Sequence, residues 1–187
     1  MSSSQSDPST ASRVGLGAGA GVAAYVFGYL LTYLATADTI RSAPATQVLE
    51  LLTGNSPVWK LVGWTFYGGH FVDAIVPGIF GGSNAVNLVA TDPITDVVYV
   101  LAPLALLVAG AALAHVADAP DPVEGAKAGA AVVAGYLPLA VVGVFAFTVS
   151  IESASAAPDL APAVLLAGVV YPLVFGTLGG AARGALG

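Results

Sequence analysis

His70 and Asp73 are the two side chains whose types and spacing best suit chemistry inside a membrane. They stand three positions apart within residues 58–80, a mostly apolar stretch, so a helix would place both on one face. If this stretch crosses a bilayer, His70 lies near its centre, where an ionised side chain costs about 2.5–3.5 kcal/mol. Ionisable residues at that depth are typical of proton relays and ion paths.

Two other interpretations of this pair are open. The same stretch is rich in aromatic residues, which prefer the membrane interface, and there His70 and Asp73 would be hydrated. Alternatively, the pair forms a structural hydrogen bond in a buried bundle. A metal site would need a third ligand such as His115, but that residue closes the next predicted helix. We therefore predict no metal site.

The element that carries this pair must belong to a membrane protein, because the chain is too apolar for an ordinary soluble fold. Hydrophobic residues make up 57% of the 187 residues and charged residues only 9%, whereas soluble domains carry about 25% charged residues. Long apolar segments predict an all-α, polytopic transmembrane helical bundle. Their continuous runs argue against a β-barrel, whose strands alternate.

Five segments reach the length of about 20 apolar residues that a spanning helix needs. The second segment is the doubtful one, because it contains Lys60 as well as His70 and Asp73. The alternative is four spanning helices plus one interfacial or re-entrant helix. The predicted helices cover residues 14–34, 58–80, 97–116, 126–150 and 161–183.

Residues 1–13 are small and polar and predict a disordered tail, which leaves residues 14–187 as a single transmembrane domain. The first helix could also be a cleaved signal peptide, although its apolar run is longer than usual. Residues 44–53 (PATQVLELLT) predict a short helix at the membrane surface.

Small and aromatic residues recur at helical spacing on the first and last predicted helices. The glycines Gly17 and Gly21, and the series Gly176, Gly180 and Gly184, permit close helix contact within the chain or between copies. The predicted partners are therefore the lipid bilayer and either a second copy or another membrane protein.

Three tyrosines form a stripe on the first helix: Tyr25, Tyr29 and Tyr33. This stripe predicts a packing seam, with a polar path as the alternative.

Composition excludes several classes of function. The net charge of −6, with only five Lys and Arg, argues against a nucleic-acid partner, since phosphate binding needs a basic surface. The absence of cysteine excludes disulfides and thiolate chemistry. With no phosphate loop or hydrolase motif in the sequence, we predict no catalytic residues, no cofactor and no enzymatic activity.

The positive-inside rule predicts the orientation. Five spans with an external N-terminus place four of the five basic residues inside, and the four-span alternative places three inside. Both arrangements put the C-terminus in the cytoplasm, in a protein of the cell membrane. The four basic residues that the five-span arrangement places inside are Arg41, Lys60, Lys127 and Arg183.

Residues 63–72 (GWTFYGGHFV) and the end of the first helix, residues 28–33 (GYLLTY), are similar to an uncharacterised family of multi-pass membrane proteins from halophilic archaea. The resemblance implies a membrane location and no known activity. The acidic, lysine-poor composition agrees with life at high salt, which screens repulsion between acidic groups. We predict a non-enzymatic structural or accessory membrane subunit. The alternative is a small ion or solute channel or transporter that uses His70 and Asp73.

Overall fold

Four helices are long and apolar enough to cross a membrane: Val14–Ser42, Val98–Val116, Pro122–Ala146 and Leu160–Gly184. They belong to a computed structural model that describes residues 10–78, 81–90, 96–151 and 154–186. The prediction of a mostly helical fold with several helices able to cross a membrane is therefore confirmed, whereas the count of five such helices is not.

In the described residues, three helices are followed by two strands, three further helices, two further strands and a last helical stretch. Two of the spanning helices are built from consecutive pieces. A π-helical segment, Ala163–Val170, joins α7 to α8. In chain order the elements are α1 Thr10–Ser42, α2 Pro44–Thr53, α3 Val58–Gly68, β1 Ala74–Pro77, β2 Ser83–Val86, α4 Val98–Val116, α5 Pro122–Ala130, α6 Val133–Ala146, β3 Val149–Ile151, β4 Ala154–Pro158, α7 Leu160–Pro162 and α8 Tyr171–Gly184.

The contacts between helices set their directions. Gly17 of α1 faces Ala131 and Gly21 faces Tyr136, so α1 and α6 run parallel. Successive spanning helices therefore alternate in direction. The start of α1, residues 117–121 and the end of α8 lie at one end of the bundle, here called the terminal side. The opposite end holds α2 and strands β1–β4 and is called the sheet side.

The glycine faces predicted from the sequence are filled by helices of the same chain. A Cβ atom on Gly180 would overlap the carbonyl oxygen of Gly125, and one on Gly129 would overlap that of Gly176. Glycine at these positions lets the backbones of α5 and α8 touch directly. The prediction of a second copy or a protein partner on these faces is untested and stays a prediction.

The helix α1 extends beyond its predicted boundaries of residues 14 and 34. Its 33 residues span about 50 Å at 1.5 Å per residue, which exceeds the hydrocarbon thickness of about 30 Å. The buried hydroxyl groups of Thr32 and Thr36 donate to the carbonyls of Gly28 and Thr32, so these polar residues continue the helix. Residues 1–9 of the predicted tail lie outside the described residues.

The second predicted helix, residues 58–80, is wrong in its extent. The helix α3 ends at Gly68, and the chain turns and continues into β1. Two adjacent glycines, Gly68 and Gly69, favour the stop because glycine is a poor helix former. Residues 61–70 are all buried, so α3 enters the bundle from the sheet side without crossing it. This geometry matches the alternative of four spanning helices plus a re-entrant helix.

A small antiparallel sheet, with strand order β2-β1-β4-β3, covers the sheet side. Ile75 of β1 lies opposite Ala85 of β2 and Ala157 of β4. The all-α prediction is therefore wrong in this part. The predicted helix 126–150 also ran into β3, because an apolar β-branched strand and the end of an apolar helix have the same hydropathy. The short helix predicted at residues 44–53 is confirmed as α2.

Candidate functional site

The C-terminal end of α3 lies inside the bundle, where water does not reach it. Its last carbonyl groups must therefore find partners within the protein. The carbonyl of Thr65 accepts from the backbone N–H of Gly69 at 3.0 Å, and that of Tyr67 accepts from His70 at 2.8 Å and Val72 at 3.1 Å. The tightened last turn satisfies most of these groups with backbone donors.

Two carbonyl groups of this buried end are bonded by side chains. Nδ1 of His70 lies 2.8 Å from the carbonyl oxygen of Phe66, so the imidazole caps the helix that precedes it. The hydroxyl of Tyr171, on α8, donates to the carbonyl of Gly69 at 3.2 Å. The end of α3 is thus held by its own histidine and by a spanning helix.

His70 is fully buried and both of its ring nitrogens are bonded. Because the Phe66 carbonyl can only accept, Nδ1 carries the hydrogen. Nε2 then accepts from the hydroxyl of Tyr136, 2.8 Å away on α6. Burial lowers the pKa of His70 to about 4, which keeps the ring neutral near pH 7.

Aromatic rings enclose the imidazole. The ring centroids of Tyr171 and Phe66 lie 4.7 Å and 4.8 Å from that of His70, and the Tyr136 centroid lies 6.0 Å away. These rings fill the space around the imidazole and exclude water from it. The resulting site is a packed apolar chamber with a few directed hydrogen bonds.

A second pair of tyrosines continues this arrangement toward α1. The hydroxyl of Tyr67 donates to the carbonyl of Ala140, so the hydroxyl of Tyr25, 3.2 Å away, is the donor in the Tyr25–Tyr67 pair. We call the five residues that join α3 to three spanning helices the tyrosine–histidine cluster: Tyr25, Tyr67, His70, Tyr136 and Tyr171.

The predicted tyrosine seam on α1 is confirmed as a packing surface. Tyr25 contacts Phe66 with ring centroids 5.0 Å apart, and the hydroxyl of Tyr29 donates to the carbonyl of Trp59 at 2.9 Å. Tyr33 lies next to Tyr29, at a centroid distance of 6.3 Å. The stripe therefore anchors α3 along the sheet-side half of α1.

Two further side chains attach α3 to the chain that leaves α6. Nε1 of Trp64 donates to the carbonyl of Phe147 at 2.8 Å, and Nζ of Lys60 donates to that of Thr148 at 2.6 Å. The bond explains why Lys60 can occur in an apolar segment, because its amine binds a backbone carbonyl at the end of a spanning helix.

The structure does not bring His70 and Asp73 together in the predicted way. Both nitrogens of His70 are bonded to Phe66 and Tyr136, and α3 ends before either member of the pair, so they share no helical face. Asp73 is half-buried, and its backbone carbonyl accepts from Asp159 at 2.9 Å. A functional role for the two side chains stays a prediction.

His115, considered above as a third metal ligand, lies at the terminal side, where its Nδ1 is 3.1 Å from Nη2 of Arg183. The described residues contain no group of three or more His, Cys, Asp or Glu side chains arranged to hold a metal ion.

Two members of the tyrosine–histidine cluster, Tyr136 and Tyr171, were not identified from the sequence. Each is the single tyrosine of its predicted helix and lies close to a proline. This position in the sequence was the signal that could have identified the two tyrosines.

Two cavities lined by described residues lie away from the cluster. One, of about 350 Å³, opens at the terminal side between Leu16, Leu113 and Lys127. The other, of about 320 Å³, is an apolar groove between α1 and α4 that is lined by alanines and by Phe27 and Leu104. Neither is lined by a member of the tyrosine–histidine cluster.

Residues 1–187 match a family of unknown function, DUF7978. The chain belongs to the DUF7978 family. No curated protein and no solved structure matched it. For this DUF7978 chain, the resemblance predicted from the sequence is confirmed as membership of an uncharacterised family, together with four helices able to span a membrane. Its source in halophilic archaea stays a prediction.

Proposed function

We propose that this DUF7978 protein is a non-enzymatic structural or accessory subunit of the cell membrane. In this proposal the tyrosine–histidine cluster has a structural role, which is to hold the re-entrant helix α3 inside the bundle. The observation that carries the proposal is that the fully buried His70 has both ring nitrogens engaged, one with Phe66 and one with Tyr136.

A proton relay requires a group that changes its charge and its partner during the cycle. His70 is poorly suited to that role, because burial lowers its pKa to about 4 and the ring is neutral over most of the accessible pH range. Protonation would also remove the acceptor that Tyr136 uses. These features support a fixed structural imidazole over the alternative of a channel or transporter built on His70 and Asp73.

The distribution of basic residues supports an orientation in the membrane. Arg13, Lys127 and Arg183 belong to the terminal side, whereas Arg41 and Lys60 belong to the sheet side. Because cytoplasmic ends carry the excess of Lys and Arg, we place the terminal side, and with it the C-terminus, in the cytoplasm. The net charge of −6 with few lysines supports a high-salt habitat.

Reconstitution into phospholipid vesicles tests the proposal directly. We expect the purified protein to produce no proton or potassium flux above that of empty vesicles. We expect Asp73→Asn to leave thermal stability in detergent unchanged and His70→Ala to lower it, with the exposed His115→Ala as the matched control. A proton or potassium flux through the parent protein that disappears in a folded His70→Asn variant would overturn the structural role.

A further inference from the structure

The short helix α2 presents its more apolar face away from the protein. Val48, Leu51 and Leu52 are 55%, 85% and 64% exposed, and their spacing places them together on one face. The opposite face, which packs on the protein, is built around the buried Thr46 and the half-buried Leu49 and Thr53, so it has one large apolar residue where the outward face has three. A helix whose outward face is its apolar face needs an apolar environment on that side.

The position of α2 indicates what that environment is. The helix packs against β3, which begins three residues after α6 ends. It follows α1 with only Ala43 between them. It therefore lies close to the sheet-side ends of α1 and α6. Leu34, in the sheet-side half of α1, is a further large apolar side chain that is 81% exposed.

A second feature at the sheet-side end of the spanning helices is independent of α2. Phe71 is 63% exposed and has a positive φ of 59°, a backbone conformation that bulky residues rarely adopt. Its ring stacks on that of Tyr99 with centroids 5.1 Å apart, and Tyr99 lies in the first turn of α4. Exposed aromatic rings at this depth are typical of the membrane interface.

We infer that the face of α2 formed by Val48, Leu51 and Leu52 is buried in the phospholipid leaflet on the sheet side, at the boundary between headgroups and acyl chains. Gln47 borders this face and Glu50 lies on the side turned away from it, so both exposed polar side chains remain in the headgroup layer. The Phe71–Tyr99 pair meets the same leaflet. This lipid contact is a property of the surface of the molecule and does not depend on the role proposed for the tyrosine–histidine cluster.

Site-directed spin labelling tests this inference, because the chain contains no cysteine. The variants Leu51→Cys and Leu52→Cys, with Gln47→Cys as the matched control on the same helix, are labelled and reconstituted in vesicles of phosphatidylcholine and phosphatidylglycerol. We expect the labels at positions 51 and 52 to be more accessible to dissolved oxygen than to an aqueous nickel chelate. The label at position 47 should show the reverse order.

Two results would overturn the inference. Equal access of the nickel chelate to all three labels would mean that α2 stands in water. Dipolar broadening of the labels at positions 51 and 52, removed by dilution with unlabelled protein, would mean that a second copy covers the face. Because all three side chains are exposed, the variants should elute in detergent as the parent does, and this elution confirms that they are folded.

Discussion

The hydroxyl of Tyr136 lies 2.8 Å from Nε2 of His70 and donates its hydrogen to that nitrogen. The two residues stand 66 positions apart in the chain and come from a re-entrant helix and a spanning helix. Their bond therefore ties the turn that follows α3 to the spanning helix that contains α6. Its loss leaves a buried ring nitrogen without a partner.

The variant Tyr136→Phe should lower the free energy of unfolding by about 1–3 kcal/mol, because it removes the donor and leaves Nε2 of His70 unsatisfied. The measurement is unfolding of the detergent-solubilised protein by heat or denaturant. The half-buried Tyr33 provides the matched control, since Tyr33→Phe should change the stability by much less. Equal stability of the parent and Tyr136→Phe would contradict the assigned bond.

Stability should fall as the pH is lowered through the range set by His70. Its pKa is about 4 in the folded protein against an ordinary 6.5, so between these values the unfolded chain binds a proton that the folded chain excludes. The contribution is fully present above about pH 6.5 and declines as the pH falls toward 4. From pH 8 to pH 5 the loss should be about 2 kcal/mol.

Unfolding curves recorded at constant salt over this pH range provide the measurement. In His70→Asn, whose amide can still donate to the Phe66 carbonyl, the pH dependence should largely disappear. The exposed His115→Asn variant should keep it. If the pH dependence of stability persisted in His70→Asn but disappeared in His115→Asn, the titrating group would be His115 and the assignment to His70 would be wrong.

The contact between α5 and α8 should not tolerate a side chain. We expect Gly180→Ala to lower stability by about 1–3 kcal/mol, because the new methyl group would overlap the carbonyl oxygen of Gly125. In contrast, a Cβ atom at Gly19 has nothing within 4 Å. Gly19→Ala should therefore be neutral or stabilising through helix propensity. Thermal unfolding of the two variants compares them, and similar losses would argue against the close approach.

Labelling of single cysteines should reveal four crossings. Ser56→Cys and Ser83→Cys flank α3 and β1, and both should react with an impermeant maleimide from the same side of the membrane. Ala117→Cys, in the connection between α4 and α5, should react from the opposite side. Reaction of positions 56 and 83 from opposite sides would mean that residues 58–80 cross the bilayer.

Sequence reasoning succeeded where one physical signal was sufficient. Pro44 and Gly54 bound α2 in the structure, because proline suits the first helical position and glycine suits the left-handed conformation just after the last turn. Two of the predicted spans, residues 97–116 and 161–183, begin and end within one residue of the helices observed, since hydropathy over about 20 residues reflects the hydrocarbon thickness directly.

Sequence reasoning failed where several short elements added up to the length of one span. Residues 58–80 include the 11-residue α3, a turn and β1, and together they form a mostly apolar stretch as long as a spanning helix. The strands contain three to five residues each, which is too short for a periodic signal. His70 was identified as unusual, but its partner Tyr136 is separated from it by two further helices.

The burial of α3 has a consequence for the order of events during synthesis. At 11 residues, or about 16 Å, this helix is too short to be held across the bilayer by itself. Tyr25 and Tyr29 of α1 leave the ribosome before α3 and can bind it at once. The other groups that bind it or the turn after it, on Ala140, Tyr136, Phe147 and Tyr171, leave the ribosome later. We therefore expect α3 to pack first on α1 and to be enclosed completely only after the last two spans are inserted.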